Sequence, residues 1–331
     1  MVKNCRFTHN NAKHIIYNRG YGLCISNCEF DLNDVCEAVI LNEEKYCRIE
    51  ESIFEKSSSP PLVNKDQMIL ANCRITGEMS IINDSQMLLK DIPSDIASKI
   101  QGKGEIEIIE ERDFQSFDFR YLDEAIHLSA SKEIVLEEDI RFGNYEMESY
   151  KDGIELDIDG LTIDGDGRTI DGAGKSRIFI ASANNITLKN ITFKNAHPPF
   201  ITTNGAAIRV NENASVNIEN CRFLDNVSEE KAGAVENCGE ATITGCAFHR
   251  NSAKLYGGAI LNKGDMTISK CKFTKNRIHG SMKMGSTISN EGRLKIKYSS
   301  FNENGSPNAY GGAITNNGQA TIEGSSFTGN V

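Results

Sequence analysis

Long apolar segments are what this 331-residue chain most clearly lacks. No stretch approaches the roughly 18 apolar residues of a membrane-spanning helix. The N-terminus, Met-Val-Lys-Asn-Cys-Arg-Phe, has no apolar segment of the kind found in signal peptides. We therefore expect a soluble chain, with no membrane insertion and no export signal or anchor of its own. Its 39% hydrophobic and 25% charged residues are typical of a folded protein.

A positively charged stripe is also missing from the linear sequence. The net charge is −10, and the basic residues look scattered along the chain. Such a surface repels a phosphate backbone, so nucleic acid is not expected as a partner.

The ten cysteines include no CxxC pair. Cys24 and Cys28 are the closest two, and four residues of extended strand would hold them too far apart for a disulfide. We therefore expect reduced thiols, most of them buried. The six histidines are not spaced as metal ligands are, and we expect them at the surface. They are His9, His14, His127, His197, His249 and His279.

One short pattern recurs six times in the second half of the chain. It runs aliphatic-x-x-Cys/Ser-x-Phe-x-x-Asn, with Ile191 in place of Cys/Ser in the first copy. The phenylalanines are 30, 25, 25, 28 and 26 residues apart, at Phe193, Phe223, Phe248, Phe273, Phe301 and Phe327. Cysteine stands two residues before three of these phenylalanines, at Cys221, Cys246 and Cys271. Asparagine stands three residues after five of them, at Asn226, Asn251, Asn276, Asn304 and Asn330. A second pattern, Gly-Gly-Ala-Ile or a variant of it, lies between these copies.

A fixed period of about 25 residues indicates a repeat architecture. Within each repeat, runs such as Met266–Phe273 alternate with the period of two that is typical of strands. We therefore predict an all-β fold, a right-handed parallel β-helix in which each repeat forms one coil. Stacking coils at about 4.8 Å would place Phe on Phe and join the Asn amides in a ladder, with left-handed backbone at that turn. Ile268 and Cys271 differ in parity, so a bend between them is required if both point inward.

The first ninety residues carry a looser form of the same pattern, for example Cys28-Glu29-Phe30. We predict an irregular β-helical block at 1–92, the end of a preceding solenoid, and a linker at 93–111. A second β-helix with about six regular coils would then occupy 112–331. Apolar residues spaced by three and four predict a short helix near 114–128 that caps its first coil: Phe117, Tyr121, Leu122, Ala125, Ile126 and Leu128.

The combination of Gly-Gly-Ala-Ile with Ile-x-x-Cys-x-Phe-x-x-Asn resembles the repeat of polymorphic outer membrane proteins. The segment 112–331 resembles the adhesin-like β-helix proteins of methanogenic archaea, and residues 117–140 and 164–172 are similar to their opening coil. This resemblance implies a pectin-lyase-like fold and a cell-surface or extracellular location.

Two weak candidate sites fall in one acidic segment. The candidates for a Ca²⁺ site are Asp157, Asp159, Asp164, Asp166 and Asp171. Asp-Gly pairs also form turns without binding a metal, so both explanations stay open. Asp164, Asp166 and Arg168 are the nearest approach to a lyase arrangement. The Asn-Thr-Asp, Gly-His-Gly and Arg-x-Pro-x-x-Arg motifs of enzymes with this fold do not occur.

Three functions remain open on the sequence alone. The first is a non-catalytic structural or adhesive module that binds a glycan or a protein along its lateral faces. The second is a polysaccharide lyase or glycoside hydrolase, and the third is a scaffold stabilised by calcium. No other cofactor is expected, and fold alone does not decide among the three.

Overall fold

The computed structural model divides the chain into two compact units, Met1–Phe114 and Gln115–Val331. It describes residues 2–19, 23–44, 46–56, 59–76, 80–90, 92–108, 118–128, 131–143, 150–199, 204–280, 286–307 and 311–331. Each unit is a stack of coils whose strands pair in parallel with the equivalent strands of the coils before and after. The prediction of an all-β parallel β-helix is confirmed.

The described residues of the first unit form three parallel sheets and one short helix, Ser94–Ala97. Sheet A is formed by Val2–Lys3, Leu23–Ser26, Tyr46–Glu50, Gln67–Ala71, Met87–Lys90 and Ile106–Ile108. Sheet B is formed by Arg6–Thr8, Glu29–Asp31, Ile53–Glu55 and Arg74–Ile75. Sheet C is formed by Asn11–Arg19, Asp34–Glu44, Leu62–Asn64, Ile81–Asn83 and Ile100–Gln101.

Part of the predicted linker at 93–111 belongs to this first stack. Ile100–Gln101 pairs with Ile81–Asn83, and Ile106–Ile108 pairs with Met87–Lys90. The short strand lengths and the loss of the Phe anchor concealed this coil in the sequence. The linker prediction is therefore corrected over these residues, while 109–111 lie outside the described residues.

The second unit contains three longer sheets, a short fourth sheet and the helix Phe119–Leu128. Sheet D is formed by Glu133–Val135, Thr162–Asp164, Ile186–Lys189, Ser215–Glu219, Glu240–Thr244, Asp265–Ser269, Arg293–Lys297 and Gln319–Glu323. Sheet E is formed by Ile140–Arg141, Thr169–Asp171, Thr192–Lys194, Arg222–Leu224, Ala247–His249, Lys272–Thr274, Ser300–Asn302 and Ser326–Thr328. Sheet F is formed by Ile154–Leu156, Phe179–Ala181, Ile208–Val210, Val235–Asn237, Ile260–Asn262, Ile288–Asn290 and Ile314–Asn316, and sheet G by Val227–Ser228, Ser252–Ala253 and Arg277–Ile278.

Left-handed corner residues supply the bend that the parity of Ile268 and Cys271 requires. Lys270 lies between them with a φ of 54°, so the chain turns from sheet D into sheet E and both flanking side chains point inward. The equivalent corner of the next coil is Tyr298, with a φ of 50°. Left-handed backbone costs about 1–2 kcal/mol for residues with a Cβ, which the stacked coils on both sides must offset.

The phenylalanines of successive coils form a continuous stack in the core of the second unit. Ring centroids of Phe223 and Phe248 are 4.5 Å apart with 3° between their planes, and Phe273 follows at 4.7 Å. Phe301 and Phe327 continue the stack. The spacing equals the distance between paired strands, because each ring stands on equivalent residues of adjacent coils.

The asparagines that follow these phenylalanines form a hydrogen-bonded ladder. Asn251 Nδ2 donates to Asn276 Oδ1 at 2.9 Å and to the carbonyl oxygen of Phe223 at 3.0 Å. Asn226 below and Asn304 above repeat this arrangement. The expectation of left-handed backbone at these Asn residues is wrong, because the positive φ falls one residue earlier, as at Arg250. That displacement turns the amide into the core.

Two further asparagine ladders lie outside the pattern that contains the phenylalanines. Asn237, Asn262, Asn290 and Asn316 bond to one another at the ends of sheet F. The first unit has an equivalent hydrogen-bonded ladder at the ends of sheet C, formed by Asn18, Asn42, Asn64 and Asn83. The two units therefore use one construction principle although their repeats differ in regularity.

The cysteines of the repeat stack as free thiols under the sheet D to sheet E corner. The amide of Cys221 donates to Cys246 Sγ at 3.3 Å, and that of Cys246 to Cys271 Sγ at 3.4 Å. Contact with the Cys221 thiol raises the pKa of Cys246 to about 12, and burial raises that of Cys73 to about 11. These thiols stay protonated at neutral pH. Cys28, Cys73, Cys221, Cys238, Cys246 and Cys271 are free thiols, while the side chains of Cys24 and Cys36 lie outside the description.

The helix Phe119–Leu128 packs against the first coil of the second unit, where a cap was predicted. Phe119, Leu122 and Ile126 are fully buried, and Phe119 meets Phe142 edge-on at 5.3 Å. Asp118 caps the N-terminus through a 2.9 Å hydrogen bond from the amide of Tyr121. Residues 114–117, including Phe117, and the side chain of Leu128 lie outside the described residues.

Candidate binding surfaces

Asp164 acts as a turn-forming residue at the end of a sheet D strand. Its Oδ1 accepts hydrogen bonds from the amide of Asp166 and from Asn190 Nδ2, both at 3.0 Å, and Lys189 lies 3.2 Å from Oδ2. Partial burial raises the pKa of Asp164, but these hydrogen bonds lower it more, so the net pKa lies below its ordinary value. The carboxylate is thus engaged by groups of its own corner.

Asp157, Asp159 and Asp171 lie at other corners of the early coils and have partners of their own. Asp157 bonds to His127 at 3.1 Å, and Asp159 accepts from the amide of Asn184 at 2.7 Å. Asp171 accepts from the amide of Ala173 at 2.9 Å. Within the described ranges, no group of three or more His, Cys, Asp or Glu side chains is arranged to hold a metal.

The three lyase candidates have different surroundings and do not form one arrangement. Asp164 is occupied in its turn, and Asp166 is exposed at a left-handed position with a φ of 47°. Arg168 instead lies 4.0 Å from Glu138 of the preceding coil. Asp166, Asn190 and Arg222 line a shallow groove of about 390 Å³ at this corner.

His127 is half-buried, which corrects the expectation of a surface residue. Its Nδ1 is 2.7 Å from Asp123 Oδ1 on the same helix, and its Nε2 is 3.1 Å from Asp157 Oδ1 on the first coil. The hydrogen bond to Asp123 is the main reason that the pKa of His127 rises to about 9. The protonated imidazole therefore fastens the capping helix to the coil beneath it.

The outer face of sheet D carries an open groove that crosses several coils. Alternate strand residues point inward, as Ala241 and Ile243 do, while Glu240 and Thr242 point outward into the groove. The groove measures about 490 Å³ on the sheet and continues into a space of about 590 Å³ at the corner towards sheet F. Its floor offers hydroxyl and charged groups at the regular spacing of the stacked coils: Thr242, Thr267, Thr321, Glu240, Asp265 and Arg293.

One ion pair divides the groove into its two parts. Arg293 holds Asp265, its register partner on the preceding strand, through both guanidinium nitrogens that face it. The hydrogen bonds from Arg293 lower the pKa of Asp265 below its ordinary value. Both residues line both parts of the groove, so a ligand lying along it would meet this fixed pair of charges.

A buried carboxylate on the outer face of sheet F was not anticipated from the sequence. Glu236 is only 1% exposed; its Oε1 accepts from Lys263 Nζ at 2.7 Å and from Asn204 Nδ2 at 3.1 Å. Arg209 Nε is 3.7 Å from Oε2, which accepts no hydrogen bond from any described residue. Nearby Arg177 is also buried and donates to the carbonyl oxygens of Asn204 and Gly205; burial lowers its pKa to about 10. No sequence signal distinguishes Glu236 from the other outward strand residues.

The basic residues are not evenly spread along the chain, which corrects the first impression of the sequence. Residues 250–297 contain eleven Lys and Arg but only two Asp and Glu, a net charge of +9 in a chain of −10. Stacking brings those that the structure describes onto adjacent coils. A charge count in a window of two repeats would have found them.

The stacked parallel coils, the Phe and Asn ladders and the capped first coil define a right-handed parallel β-helix. Residues 176–331 match a family model described as "Right handed beta helix region". Residues 116–227 match one described as "Putative pectate lyase-like adhesive domain". No curated protein matches the chain. Among the described residues, no helix has the length and apolar character needed to cross a membrane.

Proposed function

We propose that this chain is a non-catalytic structural and adhesive module of a cell surface, which binds a glycan or a protein along its lateral faces. The match of residues 116–227 to a pectate lyase-like adhesive domain supports an adhesive, surface-exposed role. We also propose that the chain is an adhesin-like β-helix protein with repeats of the polymorphic outer membrane protein type, like those of methanogenic archaea. We further propose that the chain divides into β-helical blocks at 1–92 and 112–331, with the strands Ile100–Gln101 and Ile106–Ile108 added to the first block.

The groove on sheet D is the observation that carries this proposal. It is open along its length, polar, and repeats its hydroxyl and charged groups from coil to coil. Such a surface suits an extended polymer better than a small molecule, because small ligands favour enclosed and largely apolar pockets. The rigid ladders beneath it keep the groove preorganised, which lowers the entropic cost of binding.

Binding of the full chain to immobilised polymers tests this function. The panel should contain xylan, dextran, polygalacturonate, dextran sulfate and collagen, read by surface plasmon resonance. Thr267→Trp would obstruct the groove floor, while Thr274→Trp adds the same bulk to the outward face of sheet E. We expect at least one polymer to bind, with affinity reduced about tenfold or more by Thr267→Trp only. Binding to no polymer, or equal effects of the two variants, would refute the proposal.

A carbohydrate-active enzyme is the second candidate, and Glu236 is the observation that favours it. A buried carboxylate between Arg209 and Lys263, with one oxygen that accepts no described hydrogen bond, is an arrangement found where acids and bases act. Incubation with polyuronates and detection of unsaturated or reducing ends tests it. Turnover that Glu236→Gln abolishes, while Glu155→Gln on the same face of sheet F retains it, would overturn the non-catalytic proposal.

A calcium-stabilised scaffold is tested separately by thermal melting with and without a chelator. We propose that no metal is required, since Asp157, Asp159, Asp164 and Asp171 have partners within the chain. The melting midpoint should then be unchanged by the chelator. A lowered midpoint that added Ca²⁺ restores would establish the scaffold function instead.

A further inference from the structure

Four lysines form one patch across the corner between sheets D and E. Lys295 and Lys297 are outward residues of the strand Arg293–Lys297, two positions apart. Lys270 and Lys272 belong to the preceding coil, and the amide of Lys270 donates to the carbonyl oxygen of Lys297 at 3.0 Å. Outward neighbours on one strand lie about 7 Å apart and equivalent residues of adjacent coils about 4.8 Å apart. The four side chains therefore lie on adjacent coils on the two sides of this corner, and we call them the lysine patch.

Three of these lysines have no acidic partner. Several basic residues of 250–297 are neutralised by ion pairs, namely Arg250 with Asp225, Lys263 with Glu236, Lys275 with Glu303, Arg293 with Asp265 and Lys297 with Glu323. Lys270, Lys272 and Lys295 are exposed and form no ion pair with any carboxylate in the described part of the chain. Their mutual repulsion is left for a ligand to relieve.

An exposed aromatic ring lies inside the patch. Tyr298 directly follows Lys297 at the same corner and is 58% exposed. Its ring lies against Gly324 of the next coil, where a Cβ would come within 2.6 Å of Tyr298 Cδ1. The glycine thus leaves room for the ring beside the coil, and the Tyr298 hydroxyl lies 3.5 Å from Glu323 Oε1. An exposed ring held in this way is suited to stack on a sugar.

The backbone at this corner disfavours the residues found there. The other corner residues on this line are Asn190, Asn220, Gly245 and Gly324, the types that best tolerate left-handed backbone. Lys270 and Tyr298 adopt the same conformation on adjacent coils. Unfavourable conformations that persist are common at functional sites, and here both belong to the patch.

We propose that the lysine patch with Tyr298 binds an anionic polysaccharide whose charged groups are sulfate or phosphate. Lysine binds sulfate or phosphate as a compact point charge, without the bidentate geometry that arginine uses for carboxylate and phosphate. Lys295 and Thr267 also line the sheet D groove, so a polymer held at the patch continues into it. This inference rests on the adhesive function proposed above and names its ligand class.

A nucleic acid fits this surface less well than a short anionic run of sugar residues. The patch covers two coils, and outside residues 250–297 the chain carries a net charge of −19. A long phosphate backbone would extend over that acidic surface and be repelled. A polysaccharide with spaced charges can place them on the lysines and its rings on Tyr298.

The test uses the full chain, with dextran sulfate as the probe and surface plasmon resonance as the measurement. The variant Lys270→Gln, Lys272→Gln, Lys295→Gln removes the unpaired charges. The control Lys103→Gln, Lys132→Gln, Lys175→Gln removes the same charge from exposed lysines elsewhere. We expect at least about tenfold weaker binding for the patch variant, less than about twofold for the control, and binding that weakens as salt rises. Equal losses in the two variants would overturn the inference.

Tyr298→Asn tests the ring separately, because Asn tolerates the left-handed corner and leaves all charges in place. We expect binding to fall about fivefold with an unchanged salt dependence. Unchanged affinity, or binding of duplex DNA as tight as that of dextran sulfate, would overturn the glycan assignment. If the wild type bound dextran or collagen but not dextran sulfate, the adhesive function would stand while this ligand would be refuted. Binding of no polymer by the wild type would refute both.

Discussion

Asn251 is the position where the ladder can be tested most sharply. Its side chain is completely buried and takes part in four hydrogen bonds. Nδ2 donates to Asn276 Oδ1 and to the carbonyl oxygen of Phe223, while Oδ1 accepts from the amide and from Nδ2 of Asn226. Asn251→Ala removes all four, and Asn276 Oδ1 then keeps only the hydrogen bond from the backbone amide of residue 251.

The size of the effect follows from these contacts. Each hydrogen bond contributes about 1 kcal/mol net, and a buried group left unpaired costs about 1–3 kcal/mol. We therefore expect Asn251→Ala to lower the free energy of unfolding of Gln115–Val331 by about 4 kcal/mol. Asn217→Ala is the matched control, because Asn217 is an outward, half-exposed residue of sheet D. It should change stability by less than about 0.5 kcal/mol.

Asn251→Asp adds a pH signature that packing alone would not produce. The introduced carboxylate would face two acceptors, Asn276 Oδ1 and Phe223 O, in place of the two donated hydrogen bonds. Burial and these acceptors favour its protonated form, so its pKa in the folded state lies above the unfolded value of about 3.9. Where the folded state binds more protons, stability falls as pH rises. The variant should therefore be more stable at about pH 5 than at about pH 8, relative to wild type.

Urea unfolding followed by far-UV circular dichroism at both pH values measures these differences. Asn217→Asp is expected to show no comparable change between the two conditions. If Asn251→Ala were no more destabilising than Asn217→Ala, or if Asn251→Asp were insensitive to pH, the buried ladder would not stabilise the stack as argued.

Three further predictions concern the core, the cap and a tight corner. Phe248→Ala should lower the free energy of unfolding, measured in urea, by about 3–5 kcal/mol, because the Phe248 ring is stacked on both faces. Phe327→Ala should lower it much less, because Phe327 is 45% exposed. The pKa of His127 is about 9 in the folded state, above its unfolded value. Its contribution to the free energy of unfolding, about 1–2 kcal/mol, is therefore complete below about pH 6.5 and is lost as the pH rises through 9. His127→Gln should remove this pH dependence of unfolding. Gly258→Ala would place a Cβ 2.6 Å from the carbonyl oxygen of Arg277, so its thermal midpoint should fall by several degrees; an unchanged midpoint would refute the close approach.

The repeat pattern predicted the coil because its signals are local. The alternation in Met266–Phe273 distinguishes strand from helix, and the mismatch between Ile268 and Cys271 requires the bend that Lys270 supplies. The capping helix was predicted for the same reason, since its apolar spacing is visible within three turns. The coil at Ile100–Gln101 was missed, because two-residue strands have no recognisable period.

The candidate binding surface was not predictable in this way. Lys270 and Lys297 are 27 positions apart in the sequence and become neighbours only because their coils stack. Glu236 is an ordinary outward strand residue until Lys263 and Asn204, from the coils on either side, cover it. Conversely, Asp164 and Asp171 looked dense in the sequence but lie at separate corners.

The sequence by itself determined the β-helix, since a repeated strand pattern can bury its Phe and Asn residues only by stacking like on like. The tertiary structure alone decided which outward residues share a surface, because that depends on the turn angle at each corner and on the register between coils. The sheet D groove, the buried Glu236 and the lysine patch all arise at that second level, where residues about 25 positions apart become neighbours about 5 Å apart.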